Sequence, residues 1–202
     1  MTDPSKISLA AALKRDLFRD TRHRAGDLAG LSDLFITRRY SSKSMLVNAG
    51  EKWETVYFIH KGLIRLFYTD KEGREFNKGF FRENHFLWPV APSARKDDSL
   101  FSIVALEDIK VSVCRFDLFY SWLSQHGHWE RFALPYAESF ATEKFMREYE
   151  FLIHSATERY QNFCARDPDL AGRIPDYHLA SYLGITNVSL SRIKKSIRFN
   201  IC

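Results

Sequence analysis

The chain has 202 residues, of which 45% are hydrophobic and 27% charged, and its formal net charge at pH 7 is +5. This length and hydrophobic content suffice for one large or two small folded domains. No run approaches the ~20 apolar residues of a membrane-spanning helix, and residues 1–24 carry charges throughout, so we expect a cytoplasmic protein without a signal peptide. Three widely separated cysteines, Cys114, Cys164 and Cys202, suggest neither a disulfide framework nor a C-x-x-C site.

Between Tyr40 and Phe116 the chain alternates in hydrophobicity and is rich in β-branched and aromatic residues. The segments TVYFIHKG and LIRLFYTD are predicted strands, KEGRE a hairpin turn and EFNKGFF the returning strand. FSIVALED and KVSVCRF are predicted to add two more strands. Short strands at this spacing predict an antiparallel sandwich or barrel. Residues 83–99 contain two prolines and a charged cluster, and we expect them to form a loop across the mouth of the barrel.

From Trp129 to Phe163 apolar residues recur at helical spacing, with Pro135 as the single helix breaker. Because proline is tolerated in a first helical turn, we expect a long helix to begin near Pro135. Its apolar stripe is wide enough for one side to pack on the strands and the other on a second copy of the chain. Packing within its own domain alone is the alternative. Ser155 and Glu158 have the spacing of a capping box, which can begin another helix.

The segment HLASYLGITNVSLSRIKKSIRF, residues 178–199, predicts two short helices around a glycine turn. Ala180 is small enough for the point at which two helices cross, and Gly184 can adopt the positive φ of a tight turn. The apolar positions of the pair are Leu179, Leu183, Ile185, Leu190 and Ile193. This pattern is typical of a DNA-binding helix-turn-helix, with a generic helical hairpin as the alternative.

The residues left outside this small core are polar and basic. If Thr186 caps the second helix, Asn187 and Val188 lie at its N-terminal end, which is the part that enters a major groove. Asn can bond adenine and Arg guanine in a bidentate way, so Asn187 and Arg192 are candidate base readers, and Val188 can contact a thymine methyl. The predicted phosphate contacts, which would make affinity salt-dependent, are Ser189, Ser191, Lys194 and Lys195. With Thr186 there are eight predicted DNA-binding residues.

The order of these parts resembles the cyclic-AMP receptor and Fnr (Crp/Fnr) superfamily of bacterial transcription regulators. The resemblance rests on YFIHKGLIRLFYTDKEGRE, ALED, LASYLGIT and SLSRI, and it covers nearly the whole chain. It implies an α+β fold with an N-terminal antiparallel β-roll, a jelly roll like a cyclic nucleotide-binding domain, in residues 1–128. A long dimerisation helix would follow in residues 129–154 and a helix-turn-helix DNA-binding domain in residues 155–202. The resemblance also implies a homodimer on double-stranded DNA, with RNA polymerase as a further partner.

The expected effector loop departs from the family pattern. Cyclic-nucleotide-binding members carry a Gly-Glu pair near the start of the loop that precedes ALED and an Arg-Ser pair near its end. This chain has Trp88 and Pro89 at the first pair and Ser99 and Leu100 at the second. Arg95 could replace the arginine if the loop pairs differently. The resemblance therefore implies a degenerate pocket with an unknown effector, and we do not expect cyclic AMP or GMP to bind.

The C-terminus is a second departure. Family members continue beyond the recognition helix into a β-hairpin wing, whereas three residues follow Phe199 here. We therefore expect a helix-turn-helix domain with a truncated wing. DNA contacts should concentrate on the two helices, with Tyr177 and His178 adding contacts at the start of the first.

No cofactor, metal site or enzymatic activity is predicted. The chain has no cysteine before Cys114 to hold an iron–sulfur cluster, and His60 and His85 in the strand region lack paired metal-ligand spacing. A nucleophile triad, a Walker loop and a dinucleotide fingerprint are also not visible. The alternatives left open are a β-barrel ligand-binding or cupin-like protein whose C-terminal helices are structural, and a ligand-free scaffold that dimerises and binds a protein partner.

Overall fold

The computed structural model describes residues 8–17 and 28–199. The strands are β1 (Ile36–Tyr40), β2 (Met45–Val47), β3 (Thr55–Lys61), β4 (Ile64–Thr69), β5 (Glu75–Phe81), β6 (Phe86–Leu87), β7 (Ser102–Ala105) and β8 (Ile109–Arg115). The helices are α1 (Leu9–Leu17), α2 (Ala29–Asp33), α3 (Pro92–Lys96), α4 (Phe116–Gln125), α5 (Trp129–Ile153), α6 (Ala156–Arg166), α7 (Pro168–Arg173), α8 (Asp176–Leu183) and α9 (Asn187–Phe199). Among the described residues, no helix is long and apolar enough to cross a membrane.

The described residues fall into two compact units. The first lies within Met1–Leu66 and Phe80–Phe140, and the second within Phe67–Gly79 and Ala141–Cys202. Helix α5 and the β4–β5 hairpin contribute residues to both units. Below, "first unit" and "second unit" refer to these ranges.

The strands form two four-stranded sheets, in the orders β1-β8-β3-β6 and β2-β7-β4-β5. Strand β3 pairs antiparallel with β8, with Thr55 opposite Arg115 and Ile59 opposite Val111. The predicted strands coincide with β3, β4, β5, β7 and β8 to within a few residues. Within the described residues the sheets stay open, so the jelly-roll prediction is confirmed and the closed barrel is wrong.

Strand β3 is buried on both faces, which explains its nearly continuous run of apolar residues. Val56 and Phe58 pack with the helices on the outside of their sheet, while Tyr57 and Ile59 point into the core between the two sheets. On the helical side, β8 contributes Cys114, whose thiol is buried. Burial raises the pKa of Tyr57 to about 12 and that of Cys114 to about 11.

The prediction of a loop over residues 83–99 is wrong in two places. Strand β6 pairs antiparallel with β3, with Leu87 opposite Tyr57 and Phe86 opposite Phe58. Pro92 then begins α3. Proline is tolerated at this position because the first N–H groups of a helix have no partner within the helix. The apolar run at residues 86–88 is buried, and this burial favours an ordered strand over a solvated loop.

Helix α5 begins at Trp129, six residues before Pro135, so the predicted start near Pro135 is wrong. A proline at this position removes one backbone hydrogen bond, but the extra turns bury aromatic side chains. Phe132 is fully buried and makes edge-to-face contacts with Phe86 and Phe119, with ring centroids 5.6 and 5.0 Å apart. In the first unit, α5 therefore packs on the strands, as expected for one side of the helix.

The second unit has a small helical core. The buried apolar side chains of its helical part are Phe163, Ile174, Leu179, Ala180, Leu183 and Leu190. The predicted capping box begins α6: Ser155 Oγ accepts from the Glu158 amide and the Glu158 carboxylate accepts from the Ser155 amide. Glu150 on α5 is buried and accepts from Arg166 on α6 at 2.8 and 3.3 Å. These local contacts connect the helices that precede the helix-turn-helix segment.

Candidate nucleic-acid interface

Helices α8 and α9 form the predicted pair around Gly184. This glycine has φ +68° and ends α8 in the left-handed conformation, as the sequence predicted. Its amide donates to Ser181 O at 3.3 Å, and the Ile185 amide donates to Ala180 O at 3.0 Å. A Cβ atom at residue 184 would lie 2.5 Å from Cε1 of Phe151. The turn therefore needs glycine both for its backbone conformation and for the space beside Phe151.

The inner face of the pair matches the predicted core. Leu179, Ala180, Leu183 and Leu190 are buried, and Ile185 and Ile193 are half-buried. The small side chain of Ala180 allows the close approach expected where two helices cross. Consequently, the faces that remain for a ligand are those that carry the polar residues.

Thr186 caps the second helix. Its Oγ1 accepts from the Ser189 amide at 3.1 Å, and the Ser189 hydroxyl lies 2.9 Å from the same oxygen. Asn187 and Val188 thus occupy the first two positions of α9, and both are exposed, Val188 at 62%. Among the phosphate candidates, the half-buried Ser189 already shares its hydroxyl with Thr186.

One exposed face of α9 brings together five of the eight predicted residues. Asn187, Ser191 and Lys195 are spaced four residues apart and form one row, and Val188 and Arg192 form the adjacent row. All five are exposed. This face presents an amide, a hydroxyl, a guanidinium and an ammonium group around one apolar side chain.

Lys194 is placed differently from the other predicted contacts. Its side chain is 27% exposed, and Nζ makes an ion pair with Asp176 at the start of α8. The ring of Tyr160 lies 6.0 Å from the same nitrogen. A contact from Lys194 to phosphate would therefore compete with Asp176.

The expectation that His178 adds an exposed contact at the start of the first helix is wrong. His178 is 6% exposed, and its carbonyl oxygen accepts from Asn77 Nδ2 at 2.8 Å. Tyr177, by contrast, is 59% exposed. The helical period places adjacent residues on different faces, so the buried side of α8 takes His178 while Tyr177 points outward.

Two residues outside the motif hold α8 in place, and sequence reasoning missed both. Asn77 on β5 is buried, and its backbone N–H donates to Ser181 Oγ at 3.1 Å. The Ser181 hydroxyl in turn donates to Glu75 O at 3.0 Å. Arg147 on α5 donates to the carbonyl oxygens of Asn77, at 3.2 Å, and Tyr182, at 3.0 Å. In the sequence these residues have the pattern of a polar strand position and a solvated helix position, so no local signal marks them.

The loop around Trp88 and Arg95 is filled by its own side chains. Trp88 is 2% exposed and packs against Trp129 and Phe132, with ring centroids 5.5 and 5.6 Å apart. Arg95 donates from Nε to Pro89 O at 2.9 Å and from Nη2 to Val90 O. Its guanidinium lies 5.5 Å from the Trp88 ring centroid and 5.1 Å from that of Trp129.

The chemistry of this loop differs from that of an anion site. Its carbonyl oxygens at Pro89 and Val90 face a cation, and Pro89 has no N–H to donate. Ser99 is buried and donates its hydroxyl to Phe101 O at 2.6 Å. Burial lowers the pKa of Arg95. Arg95 is thus engaged with its own loop in this conformation.

A cavity of about 380 Å³ opens elsewhere in the first unit, lined by residues of α1, the β5–β6 turn and α5. At its polar floor, Asp16 Oδ2 accepts from the Tyr136 hydroxyl at 2.7 Å, and Asp16 Oδ1 accepts from Arg15 Nε at 2.6 Å. The hydrogen bond to Asp16 raises the pKa of Arg15. The Arg15 guanidinium balances the charge of the Asp16 carboxylate, and the Tyr136 hydroxyl connects this ion pair on α1 to α5. Within residues 8–17 and 28–199, no three His, Cys, Asp or Glu side chains could hold a metal ion together.

Comparison with known proteins gives one family match and several similar bacterial regulators. Residues 37–126 match the model of the cyclic nucleotide-binding domain family. The cAMP-activated global transcriptional regulator Vfr of Pseudomonas aeruginosa is 39% identical over 50 residues, which is 25% of this chain and 23% of that protein. The cAMP-activated regulator CRP of Salmonella typhimurium is 39% identical over 49 residues, 24% of this chain and 23% of that protein. These matches span about a quarter of the relatives' length.

Solved structures extend the likeness over most of the chain. FixK2 from Bradyrhizobium japonicum has a TM-score of 0.73 at 15% identity, covering 82% of this chain and 85% of that one. The c-di-GMP responsive global regulator CLP of Xanthomonas campestris has a TM-score of 0.68 at 15% identity, covering 87% and 92%. At these identities the likeness shows the fold alone.

Proposed function

We propose that the chain is a sequence-specific DNA-binding regulator of the Crp/Fnr superfamily of bacterial transcription regulators and that it acts as a homodimer. The observation that carries this proposal is the exposed face of α9, on which Asn187, Val188, Ser191, Arg192 and Lys195 lie together. A helix of this kind fits the major groove with its N-terminal residues at the base edges.

The residues of this face divide into two roles. Asn187, Val188 and Arg192 are proposed to contact bases, because an amide, a methyl-bearing side chain and a guanidinium can distinguish adenine, thymine and guanine. Ser191 and Lys195 are proposed to contact phosphates. Thr186 then acts mainly as the helix cap.

Two further predicted residues need a rearrangement to contact phosphate. Lys194 must leave the Asp176 carboxylate, and Ser189 must turn its hydroxyl away from Thr186. We propose them as weaker contributors than Ser191 and Lys195. The ion pair of Lys194 instead fixes the start of α8 against α9, which orients the reading helix.

Dimerisation is proposed to use the exposed apolar side chains of α5. Leu134, Phe145 and Leu152 are 57%, 69% and 75% exposed. With Ala141 they are spaced by seven, four and seven residues along one side of the helix, which fits the seven-residue repeat of a coiled-coil seam. Residues 129–154 therefore remain the proposed dimerisation helix, and two-fold symmetry would place two α9 helices on two DNA half-sites. RNA polymerase as a further partner stays a prediction from the family.

Cyclic AMP or GMP is not the proposed effector. The loop that should hold the cyclic phosphate has Trp88 in the core and Arg95 bonded to Pro89 O and Val90 O, which supports a degenerate pocket. The alternative of a β-barrel ligand-binding protein loses its main support, because the described strands form two open sheets.

The test is a competitive mobility-shift measurement on a DNA site selected from a random library. We expect Arg192→Ala to weaken binding to the selected site by about 1–3 kcal/mol and to relax the preference at one base pair. Lys195→Ala should weaken binding to all sequences similarly and lower the salt dependence by about one counterion.

Arg38→Ala is the matched control, because Arg38 is also an exposed arginine but lies on β1. Its DNA affinity should equal that of the parent. If Arg192→Ala and the parent bind the selected site equally, the base-reading role of this face is wrong.

A further inference from the structure

A cluster of four aromatic rings lies beside Arg95 in the first unit. Its innermost member is Trp88, which is 2% exposed, and the Phe116 ring is nearly parallel to it, at 6°, with centroids 6.2 Å apart. The Trp129 ring stands across both, at 75° to Trp88 and 77° to Phe116. Tyr120 extends the cluster, with its ring centroid 4.8 Å from that of Trp129. We call Trp88, Phe116, Tyr120 and Trp129 the aromatic cage.

The aromatic cage already holds one cation, the guanidinium of Arg95. This group lies 5.5 Å from the ring centroids of Trp88 and Phe116. It lies 5.1 Å from the ring centroid of Trp129. All three distances are within the range of cation–π interactions, so three rings share a single positive charge.

The other contacts of Arg95 are also with neutral groups. Its Nε donates to Pro89 O at 2.9 Å, and its Nη2 donates to Val90 O. Within the part of the chain that the structure describes, no carboxylate forms an ion pair with Arg95. The positive charge is therefore stabilised by ring faces and carbonyl dipoles alone.

A site of this kind selects its cation by hydration and size. Ring faces and carbonyl dipoles return less energy to a small, strongly hydrated ion than its removal from water costs. A guanidinium is weakly hydrated and broad, which suits the cage. Quaternary ammonium groups share both properties and are the ligands that aromatic cages recognise in other proteins.

Arg95 is also placed so that it can leave the aromatic cage. It lies on α3, a helix of five residues of which none is buried. Withdrawal of its side chain therefore leaves the packing of the core in place. Phe116 and Trp129 are half-buried and Tyr120 is 42% exposed, so one side of the cage opens to solvent.

We propose that the aromatic cage is a binding site for a small quaternary ammonium compound, which binds by displacing Arg95. Its ammonium group would replace the guanidinium against the rings of Trp88, Phe116 and Trp129. Pro89 is buried, so its carbonyl oxygen needs another donor once Arg95 leaves. A hydroxyl group beside the ammonium, as in choline, would supply that donor. Binding at this site does not rest on the proposed DNA-binding function.

Choline is the probe, added to the full chain at constant ionic strength and followed by tryptophan fluorescence. Two of the four tryptophans, Trp88 and Trp129, belong to the aromatic cage. We expect saturable binding to the parent and at least about tenfold tighter binding to Arg95→Ala, because a tethered side chain competes at a millimolar effective concentration. Adding Trp129→Leu to Arg95→Ala should weaken choline binding at least about tenfold, since it removes one cation–π contact.

Two controls isolate the charge and the position. Arg39→Ala, at an exposed arginine on β1, should bind choline as the parent does. Dimethylbutanol, the uncharged carbon isostere of choline, should bind Arg95→Ala at least about tenfold more weakly than choline, because it lacks the cation. The site is overturned if Arg95→Ala shows no saturable choline binding or binds the isostere equally well. Equal choline affinity in the parent and Arg95→Ala overturns the displacement.

A second measurement uses the parent alone and does not depend on the folding of a variant. The Nε–H resonance of Arg95 is followed by nitrogen-edited NMR during the choline titration. Ring currents and the hydrogen bond to Pro89 O act on this resonance in the free chain. Displacement should move it toward the position of an exposed arginine such as Arg39. A resonance that stays unchanged at saturating choline overturns the proposal.

Phosphatidylcholine vesicles separate a lipid headgroup from a free ligand. We expect no sedimentation of the chain with these vesicles, because a headgroup fixed in a bilayer cannot reach the buried Trp88. Sedimentation that choline competes away would overturn the assignment to a free compound. DNA binding is measured separately by mobility shift. Choline binding without specific DNA binding removes the proposed function and leaves the cage site intact, and the reverse result removes only the site.

Discussion

Replacing Gly184 by alanine tests the turn of the helix pair. Residue 184 has φ +68°, where an L side chain costs roughly 1–2 kcal/mol. The new Cβ would also lie 2.5 Å from Cε1 and 3.2 Å from Cζ of Phe151. The Phe151 ring is 39% exposed and can shift, but a shift weakens its contacts with the guanidinium groups of Arg147 and Arg159, which lie 5.3 and 4.9 Å from the ring centroid. Because the exposed ring can yield, the overlap should add about 1 kcal/mol, the lower end of the roughly 1–3 kcal/mol that overpacking costs in a core, and we expect a total loss of about 2–3 kcal/mol.

Gly73→Ala separates the two contributions. Gly73 also has positive φ, +79°, but no atom lies within 4 Å of a Cβ built there. Backbone strain alone should then cost roughly 1–2 kcal/mol, and the effect of alanine on the unfolded chain is common to both variants. The difference between Gly184→Ala and Gly73→Ala therefore measures the contact with Phe151.

The assay is urea unfolding followed by far-ultraviolet circular dichroism. Phe151→Ala should cost less in the Gly184→Ala background than in the parent, because it removes the overlap there. Equal losses for Gly184→Ala and Gly73→Ala, together with an additive double variant, would refute the contribution of Phe151.

Three other predictions concern separate parts of the chain. Phe145→Glu should weaken self-association at least about tenfold in analytical ultracentrifugation, because Phe145 lies on the proposed seam. The control Phe76→Glu, at an exposed strand position outside the seam, should leave self-association unchanged. Unchanged association in both variants would contradict the seam. The pKa of Cys114 is raised from 9.0 to about 11 by burial, so the folded thiol holds its proton more tightly, and its stabilisation is present below pH 9.0 and lost as the pH rises toward 11. The difference in free energy of unfolding between the parent and Cys114→Ala should accordingly shrink over that range in urea titrations, and a constant difference would be inconsistent with the shift. Cyclic AMP should raise the melting temperature by less than about 1 °C in a thermal-shift measurement, whereas a large, saturable rise would show that the loop still binds it.

Much of the helix-turn-helix could be predicted because its determinants are local. The left-handed turn at Gly184, the cap at Thr186 and the capping box at Ser155 and Glu158 each depend on residues within a few positions of one another. Helical periodicity also separates the buried Leu190 from the exposed Ser191 and Arg192. The strands around the hairpin turn followed equally local signals.

The errors have non-local causes. Pro135 marks the start of a helix only when nothing offsets the hydrogen bond that a proline inside the helix loses, and here Phe132 is buried against Phe86 and Phe119. The short strand β6 exists because β3 offers it a partner. A single sequence does not show which segments will pair, so propensity alone assigned the residues of β6 to a loop.

The amino-acid sequence by itself determined the order of strands and helices, the glycine turn and the polar face of α9, because period, capping and backbone freedom act over short distances. The tertiary structure decided which polar residues of α8 and α9 remain available for contacts with DNA. Burial against Asn77 removes His178 from the surface, and the ion pair with Asp176 engages Lys194. It also brought the Arg147 guanidinium to the backbone oxygens of Lys78 and Asn77, which are 69 and 70 positions away in the chain. A hydrogen bond depends on distance in space rather than on separation in sequence, so only the fold could reveal these contacts.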